Sequence, residues 1–287
     1  MAPMTLAPNP FDHQTPIRNY RLFFDRDWHV RRALSSLQKG QSVSVVGKEK
    51  IGKTSFLYHV SAPQVATQYG LVPHRHFFFY VDCRLLVDLD PESCFRYIKA
   101  LVEQPISARK MLSAATLDAN ASSSAYRWLQ QAFFLFQRRG FQPILQLDNF
   151  DWLATNAHLS RWFFDNLRAL SDYHDTLAFL TTSRVPLVDL ERDMPRSAGS
   201  PFFNIFWESE LRPFSPYEAR RFLEERLESA GTVFQESILE FILDLSKGEP
   251  CGLQLAGGRA YDIWCKNMCS LSDEHCGEIE RRFIEAL

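Results

Sequence analysis

Short runs of apolar residues alternate along this chain with longer segments in which apolar residues recur every three or four positions. A continuous apolar run is typical of a strand buried on both faces, whereas the longer spacing is typical of an amphipathic helix. The runs that predict strands are SVSVV (42–46), HFFFYVD (76–82), PILQLD (143–148) and LAFLTTSR (177–184). Because helix-type segments separate them, the pattern predicts β-α-β units and a parallel sheet flanked by helices.

The helix-type segments begin early in the chain. Residues 25–40 predict a helix that packs through Trp28, Val30, Leu34 and Leu37. Further helices are predicted from Lys53 onwards and over 91–104, 126–138 and 159–172. Two stretches are predicted as irregular: residues 107–125, which are polar and small and form a surface loop or frayed helix, and a loop at 192–204.

After this second loop the strand-type runs stop and only helix-type periodicity remains. The predicted helices are SPYEARRFLEERLESAG (215–231), QESILEFILDLSKG (235–248) and PCGLQLAGGRAYDIWCKNM (250–268). Their starts carry Ser, Gln or Pro, and two of them end at Gly, which are ordinary helix start and stop signals. The carboxyl-terminal part of the chain is therefore predicted to be all-helical.

The turn after the first predicted strand reads Gly47-Lys48-Glu49-Lys50-Ile51-Gly52-Lys53-Thr54 and is followed by Ser55. This fits G-x-x-x-x-G-K-[ST], the phosphate-binding loop or P-loop. Its glycines let backbone N–H groups face a polyphosphate, and the positive end of the following helix points to the same place. We expect Lys53 to reach the β- and γ-phosphates and the Thr54 hydroxyl to be a Mg²⁺ ligand. The other residues expected to bind the nucleotide here are Gly47, Lys48, Lys50, Ile51, Gly52 and Ser55.

A phosphate loop requires an acid at the end of a neighbouring strand, and PILQLDNFDWL supplies Asp148. This carboxylate is expected to hold Mg²⁺ through water beside Thr54. The next position, where hydrolytic P-loop proteins carry Glu or Asp, is Asn149, whose amide can orient a water molecule but cannot accept its proton. Asp151 could take that part only if the turn folds back. Asn149 therefore predicts slow or absent basal hydrolysis.

These features together predict the fold class and the division of the chain. We expect an α/β fold, a P-loop NTPase parallel sheet flanked by helices, followed by a small all-helical lid domain. The predicted boundaries are an extended lead-in over 1–20, the nucleotide-binding domain over 21–212 and the lid over 213–287.

Composition and charge indicate which kinds of partner and which cellular compartment to expect. The chain is 46% hydrophobic and 23% charged, with a net charge of −2 and a pI near 6.5, which indicates neither nucleic acid nor an anionic membrane as a partner. Basic residues dominate the first sixty positions, which include the phosphate loop, and acidic residues dominate 201–287. The chain lacks a signal-peptide pattern and an apolar run long enough to span a membrane. With its six cysteines expected as free thiols, it is predicted to be cytoplasmic.

Motifs in a fixed order along 9–264 give the chain a family resemblance. They are NPFDHQTPIRNYRLFFDRD (9–27), the phosphate loop, LQLDNFD (145–151), FLTTSR (179–184), ELRPFSPYEARRFL (210–223) and KGEP (247–250). The set resembles the signal-transduction STAND class of P-loop ATPases, in the AAA-like group that includes NB-ARC and its archaeal and bacterial relatives. The resemblance implies ATP and Mg²⁺ as cofactors.

The resemblance also implies roles for residues outside the loop. Arg26 matches the arginine of a motif beside the adenine, although Asp25 stands where the family has glycine. Arg184 matches the arginine of the sensor strand that reads the γ-phosphate. Pro250 matches the proline of a Gly-x-Pro motif that packs near the adenine.

The function predicted from these residues is an ATP-binding molecular switch whose nucleotide state controls assembly with partner proteins. The catalytic group would be Asp148, Asn149 and Arg184, with weak or no basal ATPase activity. STAND relatives usually carry effector and sensor domains on the same chain, whereas this sequence ends shortly beyond the predicted lid helices. Those functions are therefore expected from separate partner proteins, in signalling or defence complexes. A nucleotide-dependent oligomer is also compatible with the sequence. The alternatives left open are an oligomeric AAA-like motor or DNA-associated ATPase, and a scaffold that binds nucleotide without turnover.

Two other features have simpler explanations than a functional site. Cys265, Cys269, His275 and Cys276 cluster near the carboxyl terminus, but their spacing matches no familiar closed zinc site, so packed helical thiols are favoured. The 24 phenylalanines could stack nucleic-acid bases, yet their positions in strands and helix faces favour core packing.

Overall fold

The computed structural model describes residues 7–108, 124–172, 177–191, 202–267 and 270–286. The chain forms two compact units. An α/β unit consists of Arg26–Gly47 and Lys53–Glu210, and a helical unit consists of Met1–Asp25, Lys48–Gly52 and Leu211–Leu287. Most of the predicted irregular stretches 107–125 and 192–204 lies outside the described residues.

The α/β unit is built on one parallel sheet. Its strands are β1 (Ser42–Val46), β2 (His76–Asp82), β3 (Gln142–Asp148), β4 (Ala178–Ser183) and β5 (Phe206–Glu210). They lie in the order β2-β3-β4-β1-β5, and every pairing is parallel. β1, β3 and β4 are buried along their whole length, as expected for strands covered on both faces. The predicted α/β P-loop NTPase fold is thus confirmed.

β5 was not predicted from the sequence. Its residues, FWESE, contain two glutamates and only one buried position, because the strand lies at the edge of the sheet and pairs with β1. A half-exposed edge strand does not need a continuous apolar run, so the signal that identified the other strands is missing here.

Helices connect the strands of the α/β unit. They are α1 (Asp27–Gln38), α2 (Lys53–Ser61), α3 (Pro63–Ala66), α4 (Pro91–Ala108), α5 (Ala125–Arg138), α6 (Phe150–Ala154), α7 (Arg161–Asp172) and α8 (Leu187–Glu191). The predicted face of α1 is correct for Val30, Leu34 and Leu37, which are buried, and wrong for Trp28, which is 62% exposed. Trp28 lies one residue into the helix and packs edge-on against Trp207 of β5, with ring centroids 6.0 Å apart.

The core of the α/β unit is rich in phenylalanine. Phe150, Phe163, Phe164, Phe179 and Phe202 are among its largest fully buried side chains. Neighbouring rings lie 4.9 to 6.4 Å apart, mostly in tilted or edge-to-face arrangements. Most phenylalanines therefore pack in the interior, as their positions predicted.

The helical unit has an apolar core of its own. Its helices are α9 (Pro216–Ser229), α10 (Glu236–Ser246), α11 (Pro250–Lys266) and α12 (Cys276–Ile284), of which α12 was not predicted. Phe222, Leu223, Ile238, Leu253 and Tyr261 are buried at its centre. Ser215 caps α9 through a capping box with Glu218.

The amino-terminal lead-in packs on α11 within the same unit. The Asn9 side-chain amide donates to the Gly258 carbonyl at 3.0 Å and to Asp262 at 2.8 Å, and the Asp12 N–H donates to the Gln254 side chain at 3.1 Å. Phe11 is 8% exposed. An extended segment without secondary structure is thereby held through both polar and apolar contacts.

Within the described ranges, none of the helices combines the length and the apolar character needed to cross a membrane.

Candidate functional site

The phosphate loop is the turn by which a buried central strand enters a helix. β1 ends at Val46 and α2 begins at Lys53. The Gly47 N–H donates to the Ser183 carbonyl of β4 at 3.1 Å, which ties the start of the loop to the sheet. Gly52 has a φ of 100°, a conformation that residues with a Cβ rarely adopt, so glycine is required at this turn.

Lys53 is buried in the first turn of α2. Only 7% of the residue is exposed, and its ammonium Nζ donates to the Gly47 carbonyl at 2.7 Å. The side chain therefore folds back over the start of the loop, and its positive charge lies beside the backbone that is expected to bind phosphates. Ser55, two positions further along α2, is 9% exposed.

Asp148, at the end of β3, is fully buried and is the centre of a hydrogen-bond network. One carboxylate oxygen, Oδ2, accepts from the Thr54 hydroxyl and from the Tyr80 hydroxyl, both at 2.8 Å. The other, Oδ1, accepts from the Thr182 hydroxyl at 2.5 Å and from the Asn149 N–H at 3.1 Å. A buried carboxylate is costly unless such donors satisfy it, so the network both stabilises and orients Asp148.

Tyr80 and Thr182 belong to the site but were not predicted. Burial and, next, the charge of Asp148 raise the pKa of Tyr80 well above its ordinary value, so the phenol remains a neutral donor. Their signal in the sequence is weak, since Tyr80 lies in an apolar run and Thr182 is one of three consecutive hydroxyl-bearing residues of β4.

Asn149 adopts a left-handed backbone conformation, with a φ of 56°. Its N–H also donates to the Thr182 hydroxyl oxygen at 2.9 Å, which fixes the turn after β3. The Nδ2 of its side chain donates to Oδ1 of Asp82 at 3.3 Å. Asp82 ends β2 and is the register partner of Asp148, so the parallel pairing of β2 and β3 brings a second carboxylate to this edge of the sheet.

Asp82 carries an arginine partner. The Arg84 guanidinium donates to both of its carboxylate oxygens, with Nε at 3.0 and 3.1 Å and one terminal nitrogen at 2.6 Å. Burial raises the pKa of Asp82, but the hydrogen bonds and charge of Arg84 outweigh it, so the pKa lies below its ordinary value. Asp82 is an ionised carboxylate that the sequence analysis missed, because only the strand order places it beside Asp148.

Arg184 follows β4 and pairs with Asp151. Its Nε donates to one oxygen of Asp151 at 2.6 Å, and its backbone N–H donates to the other at 3.3 Å. The Asp151 side chain is 5% exposed, whereas that of Arg184 is 53% exposed and lies 5.8 Å from the centre of the Trp152 ring. The turn after β3 does fold back, but it brings Asp151 to Arg184.

The middle of the phosphate loop belongs to the helical unit. Lys48 lies 3.6 Å from Glu249, and its side chain is 77% exposed. Lys50 has a left-handed φ of 61°, and Ile51 is 3% exposed. The loop thus offers one lysine to an exposed ion pair and buries its apolar residue.

Pro250 occupies the first turn of α11, where its missing N–H costs nothing. The preceding Gly248 accepts from the Phe214 N–H at 2.8 Å, and a Cβ on Gly248 would meet the Phe214 carbonyl at 2.3 Å. The close approach of these two backbone segments explains the glycine of the Gly-x-Pro motif.

Arg26 precedes α1 and has a φ of 68°, and Asp25 before it has a φ of 57°. Two consecutive left-handed residues are uncommon without glycine. The conformation at Asp25 fits the glycine that the STAND motif carries at this position.

The structure thus joins Thr54 and Asn149 to Asp148, places the Lys53 ammonium on the Gly47 carbonyl, and pairs Arg184 with Asp151. It forms no cluster of three or more metal-ligating His, Cys, Asp or Glu side chains among the described residues. Cys269, one member of the cysteine cluster near the carboxyl terminus, lies outside them.

Comparisons with known structures agree with this fold. A Walker-type ATPase of Pyrococcus abyssi is similar with a TM-score of 0.68 and 17% identity, over 96% of this chain and 75% of that chain. The ORC2 protein of Aeropyrum pernix, in ADPNP–ADP complexes, gives 0.66 and 17%, over 96% and 71%. The ORC1 protein of Aeropyrum pernix, in complex with DNA, gives 0.61 and 14%, over 90% and 65%. At these identities the likeness shows the fold alone.

No curated protein matches the sequence. A protein-family model does match, over residues 37–271, which include the phosphate loop, Asp148, Arg184 and the Gly-x-Pro turn. Since the match covers well over half of the chain, this protein belongs to the family described as novel STAND NTPase 2, a family of P-loop NTPases.

Proposed function

We propose that this chain is a Mg·ATP-binding switch whose nucleotide state controls its assembly with partner proteins, with slow or absent hydrolysis. One observation carries the proposal: the Thr54 hydroxyl lies 2.8 Å from the buried Asp148 carboxylate, beside a phosphate loop that holds the Lys53 ammonium. This combination of a hydroxyl, a carboxylate and a lysine is what Mg²⁺ and a triphosphate need together.

The donor set fits Mg²⁺. Thr54 and Asp148 present oxygen atoms, which this hard cation prefers, and neither site residue offers sulfur or imidazole. Bound Mg²⁺ would neutralise charge on the phosphates. Thr54 would hold the ion and Asp148 would hold it through water, while Lys53 would bind the phosphates.

The switch proposal is supported by the division of the phosphate loop between the two units. Lys48–Gly52 belongs to the helical unit, and Lys48 there pairs with Glu249. A triphosphate attracts loop lysines, so its binding would compete with Glu249 for Lys48. Glu249 directly precedes Pro250, the first residue of α11, so nucleotide binding would act on the helical unit at a defined point. We propose Arg184 as the residue that distinguishes ATP from ADP, because its exposed guanidinium can leave Asp151 for a γ-phosphate.

The test is calorimetric titration of the whole chain with ATP, with and without Mg²⁺. Wild type should bind Mg·ATP with micromolar-range affinity, and Lys53→Ala should not bind detectably. Lys39→Ala, at an exposed lysine outside the proposed site, is the matched control and should bind as wild type does. Equal binding by Lys53→Ala and wild type would refute the site.

A scaffold that binds ATP without changing state would use the same nucleotide site as a switch. Hydrogen exchange of the helical unit distinguishes the two functions. In a scaffold, ATP and ADP would leave the helical unit equally protected from hydrogen exchange. In a switch, residues 213–264 would be more protected with ATP than with ADP. The comparison of the two nucleotides therefore separates the two functions.

A DNA-associated ATPase is the candidate from another class. It is suggested by the ORC1 protein of Aeropyrum pernix, whose structure is a complex with DNA, but the acidic excess over 201–287 opposes it. Binding of a labelled duplex at physiological salt, with stimulation of ATP turnover, would favour this candidate over the switch. We propose instead that the partners are proteins that supply effector or sensor functions, and that the setting is cytoplasmic signalling or defence.

A further inference from the structure

The position that lacks an acid after Asp148 has two carboxylates near it. Asp151 lies two residues further along the chain, and Asp82 lies at the end of the neighbouring strand β2. Asp82 is bonded to the Asn149 side chain, since its Oδ1 accepts from Nδ2 of Asn149 at 3.3 Å. Asp82 therefore lies beside the residue that would orient a water molecule, and the surroundings of Asp151 have to be compared with it.

Asp151 is committed to Arg184. Both of its oxygens accept from this residue, one from Nε at 2.6 Å and one from the backbone N–H at 3.3 Å, and its side chain is 5% exposed. When the Arg184 guanidinium turns to a γ-phosphate, burial and the backbone N–H still hold the Asp151 carboxylate inside the turn, so it has little access to a substrate.

Asp82 is placed differently. It is the register partner of Asp148, and 17% of its side chain is exposed. Its contact with Asn149 also fixes the orientation of that amide, because Nδ2 faces Asp82 and the amide oxygen occupies the other branch. An amide oxygen can accept a hydrogen bond from water but cannot take the proton, whereas the adjoining carboxylate can.

We propose that Asp82 is the general base of this site and takes the part that Asn149 cannot perform. The proposal rests on the proposed binding of Mg·ATP. As water attacks the γ-phosphorus, a new O–P bond forms and the bond from the γ-phosphorus to the β–γ bridging oxygen breaks. The bridging oxygen leaves with the electron pair on ADP, and one proton of the water passes to the Asp82 carboxylate and from there to solvent.

Arg84 restrains this base. Its guanidinium occupies both oxygens of Asp82, and its backbone N–H donates to Asp82 as well, at 3.1 Å. A carboxylate held in this way is a poor proton acceptor, so the proposed slow basal turnover would not require the loss of the catalytic group. The Arg84 side chain is 59% exposed, so a partner with an acidic group could draw it away from Asp82.

The first experiment measures single-turnover hydrolysis of γ-labelled ATP. Arg84→Gln should raise the rate of hydrolysis above wild type by ~10-fold or more, because the base is released. Asp82→Asn should lower the rate by ~10²-fold both in wild type and in Arg84→Gln, which is the size typical of a positioned base. Arg127→Gln and Asp88→Asn, at exposed positions of the same unit, are the matched controls and should leave both rates unchanged. Equal rates with and without Asp82→Asn, or no measurable turnover in Arg84→Gln, would overturn the proposal.

The second experiment separates a proton acceptor from a structural residue. Asp82→Ala in the Arg84→Gln background leaves room for a small carboxylate, so added formate should restore turnover in proportion to its concentration. The same formate should not accelerate Asp82→Asn, in which the amide fills the space. If Asp82→Ala does not respond to formate, Asp82 does not act as the base.

Calorimetry of every variant keeps this proposal distinct from the proposed function. Asp82→Asn and Arg84→Gln should bind Mg·ATP as wild type does. Normal binding with unchanged turnover refutes only the role of Asp82, whereas loss of ATP binding in wild type itself refutes the nucleotide site.

Discussion

Charged groups are satisfied differently at the centre of the α/β unit and on the surface of the helical unit. In the α/β unit, Asp148 is fully buried and accepts hydrogen bonds from residues on β2, β4 and α2 and from the turn after β3. In the helical unit, ion pairs such as Arg221–Glu225 lie on the surface, with side chains about half exposed. Buried polar networks fix one geometry, and exposed pairs contribute little to stability. We therefore expect a rigidly held polar site in the α/β unit, and we expect the apolar core to provide most of the stability of the helical unit.

The largest expected effect tests whether that apolar core holds the helical unit. Phe222 is 2% exposed and packs against Phe11, Phe24 and Phe214. Phe222→Ala should lower the free energy of unfolding by ~3–5 kcal/mol, because a buried aromatic ring is lost and a cavity remains. Urea denaturation monitored by circular dichroism measures it.

Phe241→Ala, at a partly buried ring of the same core, is the control and should cost clearly less. An equal loss in both variants would contradict the central place given to Phe222.

The second effect tests the chemistry of the α/β unit. Lys53→Ala should abolish detectable binding of Mg·ATP, a loss in affinity of ~10²-fold or more that corresponds to at least about 2.7 kcal/mol, because the phosphates lose a buried charge. The free energy of unfolding of the helical unit should not change, since Lys53 lies in the other unit. Isothermal calorimetry and urea denaturation of the same preparation measure both quantities.

The sequence predicted the chemistry of the α/β unit better than its geometry. The phosphate loop and Asp148 are local patterns, so a single sequence is enough to identify them. Asp82 was missed because its place beside Asp148 depends on strand order, which local periodicity does not contain. β5 and the exposure of Trp28 were missed for a related reason, since both follow from which elements lie at the edge of the sheet.

Asp151 illustrates the same limit at shorter range. The sequence left open whether the turn after β3 folds back, and two backbone dihedrals decide it. Asn149 takes a φ of 56°, and the turn then delivers Asp151 to Arg184. A left-handed residue is compatible with Asn but not dictated by it. The division of the chain at 20 and 212 stays a prediction.

A third and smaller effect would sharpen the comparison by linking nucleotide to the helical unit. ATP should slow hydrogen exchange in residues 213–264 more than ADP does, because only ATP offers a γ-phosphate to Arg184. Arg184→Ala should remove the difference between the two nucleotides while both still bind. Equal exchange with ATP, ADP and no nucleotide would leave the switch without support.

The smallest effect concerns the polar contacts of the helical unit. The Ser215 hydroxyl oxygen accepts a hydrogen bond from the Glu218 N–H at 3.3 Å, and the Glu218 carboxylate accepts one from the Ser215 N–H at 2.7 Å. Ser215→Ala should cost ~1 kcal/mol, since one of the free N–H groups at the start of α9 loses its partner. Ser237→Ala, at an exposed position in the first turn of α10, is the matched control and should cost clearly less. Thermal denaturation of both variants gives the difference. A cost above that of Phe222→Ala would mean that surface caps, rather than the apolar core, hold this unit together, and the contrast between the two units would fail.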